Sequence, residues 1–412
     1  MKGSVRLEIE RLAPTGEGVA RLHGKTVFVE GALAGEIVEA ELFGEKSRFA
    51  RARTLAVERP SADRRGVDAH SSRCGGTDWA HFEPVAARKA KRDLFLETMQ
   101  RIGGLDRAAF GELPISDSPL EYRLRNQFHR RGDEVGFFER HSHRIVPIDN
   151  CEIVSARTRG AIAAQSREWG SASAGSRETG AIETIGTIET IQTIETIEAI
   201  ETVETGPTHA VAFWNRSRQE PAGGNPKIEI RCEDAAFSVS PRAFFQINRF
   251  RFPALMREVE RRARSLGQES SLDTYSGVGL FTHALAEAGL SVTAVEGSRE
   301  SVALARDNRI RLREPDPVRI VGSSVEAFLA GSAESFDLVL ADPPRAGLGS
   351  LAADLARRAR TAFFYVSCDP ASLARDLRSI LPLGFEIESS FLEDFFPLTH
   401  RVEAFVALRR AR

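Results

Sequence analysis

A predicted buried strand passes into a predicted helix through the segment Leu272-Asp273-Thr274-Tyr275-Ser276-Gly277-Val278-Gly279-Leu280-Phe281. Glycines at positions 277 and 279 allow the backbone of this turn to approach a ligand that a side chain would keep away. A second predicted strand, 292–295, ends at Glu296. A carboxylate there can accept hydrogen bonds from both hydroxyl groups of a ribose. The turn and Glu296 together predict a site for a nucleoside or nucleotide cofactor.

Position 282 separates two classes of cofactor that use such a turn. A dinucleotide site favours a third glycine there, because the helix can then pack closely beside the pyrophosphate. The chain has Thr282 instead. S-adenosylmethionine contains no phosphate and does not need that glycine. The sequence therefore favours S-adenosylmethionine over a dinucleotide.

Strands and helices alternate around this turn. From residue 244 onward, further strands are predicted over 336–341 and 362–367, and a helix over 298–308. This alternation is typical of a doubly wound parallel sheet, which binds its ligands at the carboxyl ends of the strands. We therefore predict a Rossmann-like domain over residues 251–412.

Two chemically interesting side chains follow strands of this sheet. Asp342 begins the segment Asp342-Pro343-Pro344-Arg345 and could bind a base edge or line the cofactor pocket; a simple helix cap is the alternative. Cys368 precedes Asp369-Pro370 and a predicted helix that begins near Ala371. An isolated cysteine is most often a buried apolar filler. A thiol at a helix N-terminus has a stabilised thiolate, however, so its position predicts a reactive Cys368.

The N-terminal part of the chain has a different pattern. Residues 1–58 contain five short alternating strands separated by turns with glycine, which predict a small closed β-barrel. Residues 84–101 form a predicted helix, and strands are predicted again within 120–154. We therefore expect an α/β protein with an N-terminal barrel, a central α+β domain over 59–250 and the Rossmann-like domain.

Residues 166–206 differ from the rest, with isoleucine or valine at every third position from 182 to 203. A period of three fits neither a helix face nor a strand face, so we predict a low-complexity surface loop. A short repetitive solenoid is the alternative. The segment has two arginines and eight glutamates, while the whole chain has a net charge of −2. The remainder is therefore mildly basic and rich in arginine, which suits phosphate binding.

The composition is that of a globular protein, with 42% hydrophobic and 28% charged residues. No run of about 18 apolar residues occurs, and no apolar signal core follows Met1. We therefore predict no membrane segment and a cytoplasmic location. The four cysteines, Cys74, Cys151, Cys232 and Cys368, have no paired spacing, which favours free thiols in a reducing compartment.

Five motifs occur in order along the chain: Phe245-Gln246-Ile247-Asn248, the turn over 273–281, Asp342-Pro343-Pro344-Arg345, Ser367-Cys368-Asp369-Pro370-Ala371-Ser372-Leu373-Ala374-Arg375-Asp376, and Phe396-Pro397-Leu398-Thr399-His400-Arg401-Val402-Glu403. As a set they resemble the bacterial RNA uracil-5-methyltransferase family, nearest to its ribosomal-RNA branch with an N-terminal TRAM domain. Apart from 166–206, the resemblance covers essentially the whole chain.

The resemblance implies roles for individual residues. Cys368 would be the nucleophile and Glu403 the general base, although the residues around Glu403 alone favour a solvated strand position. Leu280 stands where the family often has a polar residue, so one hydrogen bond to the cofactor would be missing. Together with Gly277 and Gly279, the residues expected around the cofactor are Gln246, Tyr275, Glu296, Asp342 and, by a looser match, Ser324.

The implied chemistry explains why a thiol and a carboxylate are both needed. Carbon 5 of uracil is a poor nucleophile, and thiolate addition at carbon 6 turns the ring into an enolate whose carbon 5 can attack a methyl group. Carbon 5 then has one proton too many, which a carboxylate must remove before the cysteine leaves. The base must also leave its stack to reach the thiol, so we expect a flipped or single-stranded nucleotide.

The TRAM-like region points to RNA as the partner. Such barrels bind nucleic acid along a basic, partly aromatic face. A strip of that kind is formed by Arg48, Phe49, Arg51 and Arg53, with a plain packing barrel as the alternative. The presence of this domain favours ribosomal RNA as the substrate, and we predict no obligate protein partner.

Relatives in this branch often have an iron–sulfur site with three cysteines near residues 70–80 and one near 150. This chain has Cys74 and Cys151, but Asp68 and Thr77 at the other expected positions. Two thiolates cannot hold an ordinary cubane cluster. We therefore predict that no cluster and no other metal is bound.

Three alternatives remain open from the sequence. A methyltransferase that acts on a base nitrogen also uses Asp-Pro-Pro motifs, but it needs no Cys368–Glu403 pair. A non-catalytic RNA-binding protein could retain the same fold. A uracil-5-methyltransferase could also act on transfer RNA rather than ribosomal RNA, because fold and domain composition do not define the substrate.

Overall fold

The computed structural model describes residues 4–131, 134–173, 195–201, 211–215, 227–232, 234–240 and 242–411. Its described part contains a strand-rich N-terminal region, a mixed central region and a C-terminal doubly wound sheet. The predicted fold class is therefore confirmed. None of the described helices combines the length and the apolar character that crossing a bilayer requires.

The N-terminal strands form a barrel-like sheet in the order β1-β5-β6-β4-β3-β2. The two edge strands, β1 and β2, follow each other in the chain: β1 pairs with β5 at one edge, and β2 pairs with β3 at the other. Between β1 and β2, the amide of Glu10 donates to the carbonyl of Val19. The inward residues are mostly valine, leucine and alanine, and they form a core of their own. The strands are β1 (Ser4–Glu8), β2 (Arg11–Leu12), β3 (Gly18–Leu22), β4 (Lys25–Glu30), β5 (Ile37–Glu45) and β6 (Phe49–Arg59).

The central region combines helices with a five-stranded antiparallel sheet in the order β10-β9-β8-β11-β12. Its second helix ends in a π-helical turn, Met99–Gly103, and Gly104 closes that turn with a φ of +67°. The elements are α1 (Ala69–Arg73), α2 (Pro84–Thr98), β7 (Ile115–Ser116), β8 (Arg125–Arg131), β9 (Glu134–Phe138), β10 (Ile145–Pro147), α3 (Ala156–Ser173), β11 (Glu195–Glu201), β12 (Val211–Asn215), β13 (Ile228–Cys232) and β14 (Ala235–Val239).

The prediction of a surface loop over 166–206 is wrong in two places. Helix α3 continues to Ser173, and residues 195–201 form β11 between β8 and β12. Strand pairing uses backbone amides and carbonyls, so a side-chain period of three does not prevent it when a neighbouring strand offers partners. Residues 174–194 and 202–206 of this segment lie outside the described residues.

The C-terminal sheet has eight strands in the order β17-β16-β15-β18-β19-β21-β20-β7. Strands β15 to β19 run parallel, and β21 pairs antiparallel with both β19 and β20. The elements are α4 (Arg251–Leu266), β15 (Ser270–Thr274), α5 (Leu280–Glu287), β16 (Ser291–Glu296), α6 (Arg299–Arg309), β17 (Val318–Gly322), α7 (Val325–Gly331), β18 (Phe336–Ala341), α8 (Leu351–Arg358), β19 (Ala359–Ser367), α9 (Pro370–Ile380), β20 (Phe385–Glu393) and β21 (Glu403–Arg410).

Both faces of this sheet are covered, and successive residues of its strands alternate between two cores. In β18, Leu338 and Leu340 join one core with helices α4 and α5, whereas Val339 and Ala341 join the other with α8 and α9. Such two-sided burial explains why the central strands β18 and β19 contain continuous apolar runs. Helix α2 also packs into the second core through Phe95, so the central region lies against the C-terminal sheet and its helices.

Candidate active site

The turn after β15 has three residues in the left-handed backbone region. Tyr275 has a φ of +59°, Gly277 of +56° and Gly279 of +95°. The turn is tied to the end of β16, because the amide of Gly277 donates to Glu296 Oε2 at 2.9 Å and that of Ser298 to Oε1 at 2.7 Å. The predicted ribose-binding carboxylate is thus held in place by two backbone amides.

Behind this turn lies a buried carboxylate whose role the sequence did not indicate. Thr282 Oγ1 donates to Asp273 Oδ2 at 2.5 Å, so the residue that replaces the third glycine anchors Asp273. Burial first, and Glu296 second, raise the pKa of Asp273 to about 7. Among the described residues, its Oδ1 and Ser276 Oγ are buried without a hydrogen-bond partner. The available signal in the sequence was an acidic residue within a strand that was predicted to be buried.

Asp342 completes a group of carboxylates at the carboxyl ends of the strands. It directly follows β18, its amide donates to the carbonyl of Thr274 at 3.5 Å, and Gln246 Nε2 donates to its Oδ2 at 3.3 Å. Burial, together with the nearby Asp273, raises the pKa of Asp342 to about 7. Two like charges this close are costly unless a cation joins them. S-adenosylmethionine has a sulfonium and an ammonium group, so this donor set fits it.

Tyr275 and Ser324 flank the same strand ends. Tyr275 is half-buried, and burial raises the pKa of its hydroxyl to about 12. Ser324 caps α7, since its Oγ accepts the amide of Ala327 at 3.2 Å. The preceding amide, that of Ser323, donates to the carbonyl of Glu296 at 2.9 Å. The structure therefore brings Ser324 next to Glu296, with part of its hydroxyl's capacity already used for capping.

Cys368 lies between β19 and α9 and is partly exposed. The expectation of a stabilised thiolate is wrong for the free protein. Burial, followed by the carboxylates of Glu403 and Asp342, raises the pKa of the thiol to about 12. The helix N-terminus cannot compensate fully, because the Asp369 side chain caps it and accepts the amide of Ser372 at 2.7 Å.

Arg345 is a functional residue to which the sequence assigned no role. Its guanidinium lies within hydrogen-bonding range of the Cys368 thiol and lowers the pKa of that thiol against the effect of burial. It also lies close enough to Glu403 to lower the pKa of that carboxyl. Arg345, in the loop after β18, thus provides a positive charge next to the acidic groups at the ends of β19 and β21.

Glu403 is the first residue of β21 and is only 5% exposed. Its interpretation as a solvated strand residue is therefore wrong. Ser367 pairs with Ala404, so the next positions, Cys368 and Glu403, are opposite each other at the ends of β19 and β21. Burial, then Asp342 and Glu393, raise the pKa of Glu403 well above its usual value. The structure thus brings thiol and carboxyl together.

A cavity of about 220 Å³ opens onto Cys368 from the side of the N-terminal region. Its walls come from the turn between β2 and β3, from helix α2, and from the loops that carry Arg345 and His400. His400 is hydrogen-bonded to Asp78, and Lys91 forms a buried ion pair with Asp394 at 2.6 Å, so polar contacts hold these walls together. The thiol is therefore accessible along a path shared by three parts of the chain.

The residues at the iron–sulfur positions do not fit a cluster. Asp68 caps α1 and accepts the amide of Ser71 at 2.6 Å, while Thr77 Oγ1 donates to the carbonyl of Ser71 at 3.3 Å. Cys74 and Cys151 are fully buried in an apolar core, and burial raises the pKa of both, that of Cys151 to about 11. Within the described part of the chain, no group of three His, Cys, Asp or Glu side chains could hold a metal ion.

Comparison with known proteins gives two family matches. Residues 236–411 match the model of the tRNA (Uracil-5-)-methyltransferase family, and residues 3–55 match that of the TRAM domain. In fold, the chain is similar to the Pyrococcus abyssi tRNA (uracil-54, C5)-methyltransferase in complex with S-adenosyl-L-homocysteine. That structure has a TM-score of 0.74 and 24% identity, over 98% of this chain and 99% of that chain.

Similar relatives match over almost the whole chain. The 23S rRNA (uracil(1939)-C(5))-methyltransferase of Pseudomonas putida is 30% identical over 97% of this chain and 92% of that protein. The enzyme of the same description from Chromohalobacter salexigens is 32% identical over 98% and 89%. An uncharacterized RNA methyltransferase of Streptomyces coelicolor is 30% identical over 98% and 92%. The chain therefore belongs to the RNA (uracil-5-)-methyltransferase family of S-adenosylmethionine-dependent enzymes and has an N-terminal TRAM domain.

Proposed function

We propose that this enzyme methylates carbon 5 of a uridine in 23S ribosomal RNA through a covalent adduct with Cys368. The observation that carries the proposal is the placement of Cys368 and Glu403 at the ends of adjacent strands. The choice of ribosomal RNA is supported by the names of the relatives from Pseudomonas putida and Chromohalobacter salexigens, which specify uridine 1939. We also propose that the enzyme works in the cytoplasm, where this RNA is made and modified in bacteria.

We propose that the carboxylate group after β15, β16 and β18 holds S-adenosylmethionine. Glu296 would accept hydrogen bonds from the ribose, Gly277 and Gly279 would keep the turn free of side chains, and Asp342 would face the cationic end together with Gln246. Tyr275 and Ser324 would flank the adenosine. When bound, S-adenosylmethionine would supply the methyl group as an electrophile and would leave as S-adenosylhomocysteine.

Cys368 begins the reaction at the pyrimidine ring, after its thiol has lost a proton to solvent. Arg345 stabilises the thiolate, whose sulfur forms a bond to carbon 6 while the electrons of the carbon 5–carbon 6 double bond move towards the carbonyl at carbon 4. Carbon 5 thereby becomes nucleophilic and accepts the methyl group. Glu403 then takes the remaining proton from carbon 5, the double bond re-forms, and the bond between sulfur and carbon 6 breaks. Cys368 returns to its starting state.

The cavity beside Cys368 supports an unstacked target base. It extends from the thiol to Pro14 and Thr15 of the TRAM domain, so RNA bound by that domain would have its base directed to the strand ends. Arg401 and Lys91 lie on the same path. A base within a duplex could not reach a thiol at this depth, because its ring atoms are covered by the stack.

The proposal is tested by mass spectrometry of ribosomal and transfer RNA from a strain that lacks the gene. We expect 5-methyluridine to disappear from one position of 23S ribosomal RNA and to return with the parent gene, but not with Cys368→Ala. Loss from transfer RNA alone would contradict the ribosomal target. Loss of a methyl group from a base nitrogen would contradict the reaction itself.

A further inference from the structure

We infer that Glu393 is a positioning residue, whose buried negative charge keeps the proton affinity of Glu403 high enough for removal of the carbon 5 proton. This inference rests on the proposed role of Glu403 as the base. Glu393 belongs to none of the five sequence motifs, and its strand position alone suggests nothing beyond an edge residue. The strand register of the structure brings it to the site.

The geometry places the two carboxylates side by side. Glu393, the last residue of β20, pairs with Glu403, the first residue of β21. Residues directly opposite in an antiparallel pair share one sheet face, with their Cβ atoms about 4.5–5.5 Å apart. Two residues further on, Phe391 and Phe405 stack on the same face with their ring centroids 4.9 Å apart. The two carboxyl groups therefore lie side by side on the same sheet face as the two stacked rings.

Neither carboxylate is hydrated to any large extent. Glu393 is 4% exposed and Glu403 5% exposed, so the interaction between their charges is weakly screened. Arg251, at the start of α4, donates to Glu393 Oε2 at 2.5 Å, and Ser116 Oγ donates to its other oxygen at 3.4 Å. Burial, and to a smaller extent Glu258 of α4, raise the pKa of Glu393, whereas Arg251 and Ser116 oppose that rise. The Arg251 contact therefore favours the charged form of Glu393.

Four charged or titratable groups face Glu403, and they come from three elements. Asp342 and Arg345 approach from the loop after β18, Cys368 from the end of β19, and Glu393 from β20. Asp342 belongs to the proposed S-adenosylmethionine site, where a cationic ligand offsets its charge. Glu393 lies beside the base and is paired with Arg251, which does not belong to the proposed cofactor site. Its charge therefore continues to act on Glu403 when the cofactor site is filled.

The functional consequence concerns the strength of the base. A general base works best when its pKa lies near the working pH, because it is then both ionised and strongly basic. An ordinary glutamate is ionised but weakly basic at neutral pH. A second buried carboxylate next to Glu403 raises the pKa of Glu403 towards the working pH, where the base is more effective. Glu393 thus acts on the reaction through Glu403, without touching the uridine.

The test is the pH profile of tritium release from RNA that contains 5-tritiated uridine, measured in a single turnover. In Glu393→Gln, the acidic limb should move down by about one pH unit, because Glu403 loses a neighbouring negative charge and ionises at lower pH. Glu393→Asp retains the charge and should keep the parental limb. The matched control is Glu386→Gln, an exposed glutamate on the same strand, which should also keep it.

A second variant guards against loss of folding. Glu393→Gln combined with Arg251→Gln leaves no unpaired buried charge, and its acidic limb should shift in the same direction but less far, because the positive charge of Arg251 is removed as well. The inference is overturned if both Gln variants keep the parental profile, or if Glu393→Asp shifts as far as they do. Adduct formation with 5-fluorouridine RNA needs no proton removal. It therefore distinguishes a failure of the proposed function from a failure of the role assigned to Glu393. A parent without an adduct overturns the proposed function and this inference together, whereas a normal adduct without the shift overturns the role of Glu393 alone.

Discussion

The environment of the Cys368 thiol opposes ionisation, and Arg345 is positioned to counter that effect. Burial and two carboxylates raise the pKa of the thiol, whereas the Arg345 guanidinium lowers it. Charge–charge effects of this kind change the thiolate fraction about tenfold for each pKa unit. The reactivity of Cys368 therefore depends on a residue outside its own helix cap, in the loop after β18.

We expect Arg345→Gln to slow the formation of the Cys368 adduct with 5-fluorouridine RNA by about tenfold or more. Loss of the guanidinium raises the pKa of the thiol further, so the pH at which the rate is half-maximal should move upward. Rapid quenching across a pH series measures both effects. Arg375→Gln on the exposed side of α9 is the matched control. Parental rates in Arg345→Gln would refute the role assigned to Arg345.

For Glu403→Gln, we expect a covalent complex to accumulate with ordinary uridine RNA. The amide cannot accept the carbon 5 proton, so the methylated ring stays bonded to sulfur, and turnover should fall by about 10²- to 10⁴-fold. Denaturing gels show the complex, and Glu388→Gln, an exposed residue of β20, serves as the control. Normal release of methylated RNA by Glu403→Gln would contradict the assignment of Glu403 as the base.

At the scale of the element, helix α9 holds the loop after β18. Asp376 accepts the amides of Leu348 at 2.7 Å and Gly349 at 3.0 Å, and the hydroxyl of Tyr365 at 2.6 Å. A single buried carboxylate therefore connects the loop that carries Asp342 and Arg345 to the helix that follows Cys368. The close approach requires Gly347, where a Cβ would lie 2.6 Å from Asp376 Oδ2.

Gly347→Ala should therefore lower the free energy of unfolding more than Gly349→Ala does. Both glycines have positive φ values, and an alanine costs about 1–2 kcal/mol at such a position. Only Gly347 is also crowded, which adds about 1–3 kcal/mol for overpacking. Urea unfolding measures the difference. Equal destabilisation by the two substitutions would show that the contact with Asp376 does not restrict the loop.

Periodicity was sufficient to predict β15, β16, β18 and β19 of the C-terminal sheet, because alternating apolar strands and helices leave few other topologies, but it did not predict β17 or β20. The same information could not predict β11, because one of its two partner strands, β8, lies about seventy residues earlier in the chain. It also could not predict Glu393 beside Glu403, since that proximity depends on the register of two strands joined by a long loop. Residues in motifs were predictable; residues brought in by pairing were not.

At the scale of the whole molecule, the TRAM domain is joined directly to the loop before Glu403. Trp79 is fully buried, and its Nε1 donates to the carbonyl of Gly16 at 2.7 Å, while its amide donates to that of Leu398 at 2.9 Å. A Cβ on Gly16 would lie 2.6 Å from the Cβ of His400. The barrel and the loop before Glu403 are therefore in close contact at the cavity that leads to Cys368.

Gly16→Ala should separate the barrel from this loop. We expect affinity for the substrate RNA to fall by about tenfold, or about 1.4 kcal/mol, because the two binding surfaces no longer keep their relative position. The affinity for S-adenosylmethionine should stay unchanged, since the residues proposed to hold it lie in other elements. Titration with each ligand measures both effects. Gly24→Ala, at an uncrowded barrel turn, is the control, and an equal effect there would contradict the proposed contact.

The central claim is that Cys368 forms a covalent bond with the target uridine. It is tested most directly by incubating the enzyme with S-adenosylmethionine and RNA that contains 5-fluorouridine, then sequencing the cross-linked peptide by mass spectrometry. Fluorine at carbon 5 cannot be removed as a proton, so the adduct should persist and map to Cys368, and it should be absent from Cys368→Ala. An adduct at another residue, or methylated RNA produced by Cys368→Ala, would contradict the account.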